Sequence, residues 1–484
     1  MTANPAMPAG ADASLVPGFD VCVLLGLMEE AVGQCGRRER RRRLLPAVAV
    51  MVFVLGLCLF SGEGYGEVAR KLTGWLAPLA GRAGWHLPGT SALAKARARL
   101  GAAPFELLFA KLAGPLAGPG VPGAAAFGRV LVALDGTRLD VPFTPANVAA
   151  FGPPPSPGRL AGGFPQVRLV TVAGCGTRGI ADAAFGPRTG KGNSEQDLAR
   201  VIAARGRLGP GMLVIADRNF CGHPVVWALR ATGADVLIRA KSSQRLPVTG
   251  AVPDGSYRSL LADPAAAKAR HTRNAMRRAR GSELGPDNRP VPGIPVRVIE
   301  ADITITAAGQ APRTERFRLI TTLLDPAEAP ATQIAAAYAQ RWEIETSYRE
   351  IKVFTRGPGR VLRSCRPAGI TQEIWALLCA CQLTHAARTH AAAAAGHDPD
   401  RISYTVTLRA IRRALTTTTT TSTTASITAS ITAEALAALL PPQRRRRSYP
   451  RLTQTSTAKR RTARATLTGT TTHKITIAAP AHPP

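Results

Sequence analysis

The chain of 484 residues is long enough for two or three domains, each burying its own core. Its 62 Lys and Arg against 31 Asp and Glu leave a formal charge of +31, which favours a polyanion, nucleic acid first and an anionic membrane surface second. Eight scattered cysteines, with no partnered C-x-x-C and no downstream His-x-x-x-His, argue against a structural zinc or a disulfide framework and fit a reducing cytoplasm.

The first 20 residues lack a basic patch followed by an apolar run, so no secretory signal is expected, and residues 1–17 read as disordered. Residues 18–120 read as a helical domain. Within it residues 44–60 are apolar for 17 positions after the cationic stretch 37–43, at the lower limit for a membrane span. Pro46 and Gly56 interrupt that run and no second span follows, so a buried helix is expected and no membrane partner. Residues 61–79 show Tyr65, Val68, Leu72 and Trp75 near helical spacing, one amphipathic helix. Residues 92–100 form a short basic helix with Lys95, Arg97 and Arg99, which makes this domain a candidate DNA contact.

At Arg129 the period changes. Residues 130–134 make a compact apolar strand ending at Asp135 and Gly136. Further strands are expected at 167–172, 212–216 and 235–239, with a helix at 225–231 between the last two. Alternating strands and helices over 125–240 imply an α/β core with a mostly covered sheet. Residues 241–328 read as an inserted β subdomain, with long strands at 296–306 and 316–324 and a very basic loop at 268–280. Residues 329–415 return to helix: one at 331–354 and one at 371–387, the latter apolar through Ile374, Leu377, Leu378 and Cys381. The remainder, 416–484, is a low-complexity basic tail whose threonine run and arginines cannot make an ordinary core, so disorder is expected.

Three acids stand out. Asp135 and Asp217 each end an apolar strand, and carboxylates at strand ends can converge at one sheet edge. Tyr338, Arg341, Glu345 and Lys352 recur at steps of three, four and seven, within an arc of roughly 60° on one continuous helix. Glu343 and Glu350 lie about 160° and 140° round from Glu345, off that stripe. Taken singly, an Asp after a strand is a turn former and a charged helix stripe is a solvated face. Together, three oxygen ligands around one hollow suit Mg²⁺ beside a phosphodiester.

These blocks resemble the DDE transposases of the insertion-sequence-four family. The resemblance is carried by Leu134-Asp135-Gly136-Thr137; by Asn147, Phe151-Gly152, Phe164-Pro165-Gln166 and Arg168-Leu169; and by Ala216-Asp217-Arg218-Asn219-Phe220. It is carried too by the tyrosine-arginine-glutamate-lysine signature at Tyr338, Arg341, Glu345 and Lys352, and by Gln372-Glu373-Ile374-Trp375. It spans about residues 37–413 and implies a ribonuclease-H-like core interrupted by a β-rich insertion and preceded by a helical N-terminal domain. It implies Asp135, Asp217 and Glu345 as catalytic metal ligands for two Mg²⁺ ions, Mn²⁺ substituting. Tyr338, Arg341, Lys352 and Arg218 would contact DNA. The partners implied are the inverted-repeat ends and target DNA, with a homodimer in the synaptic complex, in a bacterial, nucleoid-associated cytoplasmic setting. The rival reading is a catalytically inactive basic DNA-binding protein, a decayed transposase.

Overall fold

The computed structural model describes residues 20–441 and 472–478, except 40, 42, 118–119, 155–162, 281–286, 288–290, 307–311, 358, 360, 421 and 423. The expected disorder of residues 1–17 lies outside the described residues, as does most of the basic tail. The chain forms two units, one made of Met1–Leu208 with Gln340–Leu440, the other of Gly209–Ala339 with Pro441–Pro484.

The first unit opens with six helices: α1 (Val21–Gln34), α2 (Ala47–Leu59), α3 (Tyr65–Lys71), α4 (Thr73–Ala80), α5 (Thr90–Leu100) and α6 (Ala103–Leu112). Asp20 caps α1 by accepting from the amides of Cys22 and Val23. All of α2 except Val48 is buried, so the apolar run at 44–60 is a core helix. Gly56 lets Leu72 approach, because a Cβ there would lie 2.4 Å from the Leu72 Cδ1. No described helix is long and apolar enough to cross a membrane. The single helix expected at 61–79 is two, broken at Leu72, where the Thr73 hydroxyl turns back onto the carbonyls of Ala69 and Arg70.

Four antiparallel strands follow: β1 (Ala125–Ala126), β2 (Arg129–Asp140), β3 (Gln166–Gly174) and β4 (Ile180–Pro187), paired in the order β1-β2-β3-β4. β2 does not stop at Asp135. It runs on to Asp140, with Asp135 opposite Thr171 and Thr137 opposite Leu169. Gly136 is read naturally as a turn. It is instead a strand residue whose missing side chain leaves room for Glu195, since a Cβ would meet the Glu195 Cδ at 2.6 Å. Helix α7 (Pro145–Phe151) follows β2, capped by Thr144, and α8 (Glu195–Ala204) begins with a Ser194–Asp197 capping box.

The second unit pairs β5 (Met212–Ala216) in parallel with β6 (Asp235–Arg239) through α9 (His223–Ala231). β7 (Gly250–Ala251), β8 (Tyr257–Ala262), α10 (Pro264–Ala279), β9 (Gly293–Thr306), β10 (Arg313–Thr321) and α11 (Ala331–Tyr338) complete it, with β11 (Thr472–Ile477) from the tail. The strand order β6-β10-β9-β8-β7 is antiparallel throughout, and β11 pairs with β9, so the unit's sheet is mixed. The stretch 268–280 is helical rather than looped: Asp263 caps α10 by accepting from the Ala265 amide, and alanine and arginine favour the helix. At the centre the wholly buried Arg297 bonds the Ala329 carbonyl at 2.7 Å and pairs with Asp254, which also accepts from the Ala331 amide at the start of α11.

Back in the first unit lie α12 (Trp342–Arg349), α13 (Pro367–Ala394), α14 (Tyr404–Thr417) and α15 (Thr424–Leu436). The continuous helix expected at 331–354 is therefore interrupted. α11 ends at Tyr338, Ala339–Arg341 is a 3₁₀ turn, and Glu350–Thr355 is a π turn. Local composition allows helix throughout, and the wider turn is set by the Arg356 amide reaching the Ile351 carbonyl and the Thr355 hydroxyl bonding that of Glu350. The 60° arc consequently does not extend from Tyr338 to Lys352. The tail also departs from expectation: α15 is ordered, burying Ile427, Ile431 and Ala435 at helical spacing, which the alanine and isoleucine among the threonines permit.

Candidate active site

Asp135 and Thr137 lie on one face of β2, two residues apart. Against that face pack α12 and the π turn that continues it. Tyr348 donates its hydroxyl to the Asp135 carbonyl and accepts from the Thr171 amide at 3.3 Å. One turn on, Lys352 donates to the Thr137 hydroxyl at 3.0 Å. The helix is thus held in register on the strand at two points, and Glu345 comes to the Asp135 end. Arg341 lies between the two acids, its guanidinium 2.9 Å from the Glu345 Oε1 and 3.7 Å from the Asp135 Oδ2. Two of the three expected carboxylates therefore already converge on one cation.

The electrostatics follow from burial. Tyr348 is pushed well above the usual phenol value, by burial first and then by the charges of Asp135 and Glu195, so it remains a neutral donor. Lys352 is held below the ordinary lysine value by burial and then by nearby Arg356. The charge of Asp140 offsets this only in part.

On the far side of α12 is a second charge cluster, buried inside the unit. Arg178, in the β3–β4 turn with φ +65°, lies 3.0 Å from both Glu343 and Glu350 and also pairs with Asp400. Arg388 of α13 adds a contact of 3.4 Å to Glu350. Burial alone would lower the Arg178 pKa, but the three acids hold it above its ordinary value. Burial raises that of Glu350. The two glutamates off the signature stripe are the anchors that press its helix onto the sheet.

Asp217 stands where expected, after β5, in the second unit. There its Oδ1 accepts from the Asn219 amide at 2.8 Å and caps a 3₁₀ turn, Arg218–Phe220, with Arg218 exposed. Tyr338 is only 6 % exposed, its ring edge-on to Phe317. That ring is core and has no open face for a nucleobase. Trp342, 57 % exposed and beside Arg341, has one. Among the described residues no group of three or more His, Cys, Asp or Glu is gathered closely enough to hold a metal. The oxygen donors Asp135 and Glu345, already sharing a cation, suit a hard divalent ion in charge and donor type.

Three contributors escaped the sequence reading. Tyr348 was visible in principle, because Arg341, Glu345, Tyr348 and Lys352 step by four, three and four. Glu195 showed only a helix-start signal. Trp342 gave no signal beyond its neighbour Arg341.

Comparison with known proteins gives the family. Residues 21–110 match the N-terminal domain of insertion element 4 transposases, and residues 126–383 match the transposase DDE domain. The transposase InsG of insertion sequence element IS4 from Escherichia coli K12 is 26 % identical over 430 residues, covering 88 % of this chain and 89 % of that protein. A piggyBac transposase synaptic complex with hairpin DNA, solved by cryo-electron microscopy, is 10 % identical with a TM-score of 0.40, over 88 % of this chain and 81 % of that one. Members of the DDE family generally use divalent metal ions. The chain belongs to the DDE transposases of the insertion-sequence-four family, enzymes that cut DNA and transfer its strands.

Proposed function

We propose that Asp135, Asp217 and Glu345 are the catalytic carboxylates and hold two Mg²⁺ ions, with Mn²⁺ as a substitute. The Arg341 guanidinium seated between Asp135 and Glu345 supports these two acids, and the match to the DDE domain supports Asp217 with them. When bound, such ions supply charge neutralisation at the scissile phosphate and acidify the attacking water. The chain's own residues do the rest. Tyr348 and Lys352 hold the helix of Glu345 on β2, and Lys352 takes a DNA phosphate. Arg341 and Arg218 contact the backbone near the scissile bond. Tyr338 acts within its own unit, packed edge-on to Phe317, and Trp342 offers the exposed ring for stacking.

The substrate is duplex DNA, the inverted-repeat ends of an element and then its target, bound by a homodimer in a bacterial cytoplasm at the nucleoid. Family membership and the charge of +31 support this reading. The antiparallel β2–β3–β4 and the parallel β5–α9–β6 are the strand types of a ribonuclease-H-like core, and β7–β10 supply the inserted β subdomain. The domain plan is helical for 18–120, catalytic for 125–240 and 329–415, and inserted for 241–328.

The test is nicking of a duplex carrying the DNA that flanks the coding region. Asp135→Asn, Asp217→Asn and Glu345→Gln should each lower cleavage by about a thousandfold or more, the scale for removing one member of a catalytic unit, while end binding persists. Cleavage by all three variants at the native rate would refute the assignment. A native chain that binds the ends yet never nicks them with Mg²⁺ would favour the inactive DNA-binding protein, which the family match does not favour.

A further inference from the structure

Strands β8 and β9 form an antiparallel hairpin whose last pair is Ala262 with Gly293. Two to five residues close such a hairpin. Here residues 263–292 are spent on it, 16 of them in α10. That helix buries none of its residues, so it adds nothing to the core. It is held at its base by the Asp263 cap, and along its length by the buried Asp287, which donates its amide to Asn274 at 2.8 Å and pairs with Arg273 at 3.5 Å. A helix of about 24 Å that buries none of its residues, yet is capped and braced, is built to meet something outside the chain.

Its chemistry names the partner. At about 100° per residue, Lys268, His271 and Arg278 fall on one stripe, and all three are exposed. The opposite stripe carries Arg270, Arg273 and Arg277. No acid lies within α10 itself. Arg273 is tied to Asp287 and Arg270 and Arg277 are half-buried, so it is the exposed flank, with Lys268 and Arg278 among alanines, that suits a row of DNA phosphates.

We propose that α10 is a DNA-backbone clamp, a helical arm of the β insertion that grips duplex phosphates outside the catalytic carboxylates. It reads no bases: its long side chains are point or fork donors for phosphate, so it adds affinity and salt dependence rather than sequence preference. The proposal stands apart from the metal assignment, since a chain unable to cleave would still bind through it.

The experiment uses the full chain in two altered forms. In one, residues 263–292 are replaced by Asn-Gly, the two-residue turn suited to this hairpin. In the other, Lys268→Gln, Arg278→Gln and Arg280→Gln remove exposed charge and leave the backbone and the Arg273–Asp287 brace intact. Affinity is measured against salt on a duplex carrying the element's flanking DNA and on a scrambled duplex. The triple variant should lower the log–log salt slope by about 3 and weaken binding near 0.1 M salt by about a hundredfold. Equal loss on both duplexes would mark a grip on any DNA, target included. Loss on the flanking duplex alone would overturn a grip confined to the phosphate backbone. Unchanged slope and affinity on both duplexes, in a triple variant that melts like the parent, would overturn the clamp.

Discussion

Lys352 carries a testable electrostatic signature. Burial first, then Arg356, holds its ammonium below the ordinary lysine value, so the free protein gives up that proton earlier than an exposed lysine would. A bound phosphate favours the charged form and raises the pKa in the complex. Affinity through this residue is therefore complete at low pH and declines as pH rises through the depressed value of the free protein. We predict that duplex binding by the native chain begins to fall at a pH below the ordinary lysine range, with no such fall for Lys352→Arg, whose guanidinium stays charged, and a uniformly weaker, flat profile for Lys352→Ala. Titrating binding at constant ionic strength checks this, and an alkaline fall that survives in Lys352→Ala would assign it to other groups. At this scale much of the site was readable. Asp135, Glu345, Arg341 and Lys352 lie in one unit, although the spacing related only the last three to one another. Tyr338 matched the signature as well as any of them, but a motif position does not tell whether a ring faces solvent or Phe317.

The signature helix shows what one element can and cannot reveal. Its periodicity placed Glu343 and Glu350 on the face away from Glu345, and that is where Arg178 meets them. The arginine itself was not legible. It sits in a turn with a left-handed backbone, far off in sequence, and only the fold brings it under the helix. The 3₁₀ and π interruptions were equally hidden, because side chains from elsewhere decide them. Arg178→Met would leave two glutamates and Asp400 buried around a missing cation. We predict a loss of about 3–5 kcal/mol in unfolding free energy, the range for removing one member of a buried pair. Adding Glu350→Gln should recover part of it, giving a non-additive double-mutant cycle. At temperatures where the variant stays folded, cleavage should fall more than end binding, since the cluster orients Glu345 without touching DNA. Additive effects on stability, or equal losses of cleavage and binding, would leave Arg178 as an ordinary core residue.

For the whole chain, composition gave the partner class and the run of helical, α/β, β-rich and helical segments, because charge and periodicity are local properties. It failed at the tail. Threonine-rich, low-complexity sequence reads as chain that cannot fold, yet α15 buries an apolar stripe and β11 joins a sheet. The reason is that β9 supplies what the tail lacks. β9 is 14 residues long, and β10 lines one edge of it. β8 covers the other edge only up to Val298, and β11 takes the rest, pairing Thr472–Ile477 with Thr306 back to Ala301. A strand of modest propensity becomes ordered when an unpaired row of amides awaits it. Ending the chain after Leu440 would keep α15 and strip that row bare. We predict that the shortened protein keeps helix content but self-associates, rising in light scattering with concentration as exposed β9 edges pair between molecules. Substituting Ile303→Lys in the same truncation, an edge charge, should restore the monodisperse species. Truncated protein that stays as dispersed as the full chain, with or without the lysine, would show that β11 guards no edge.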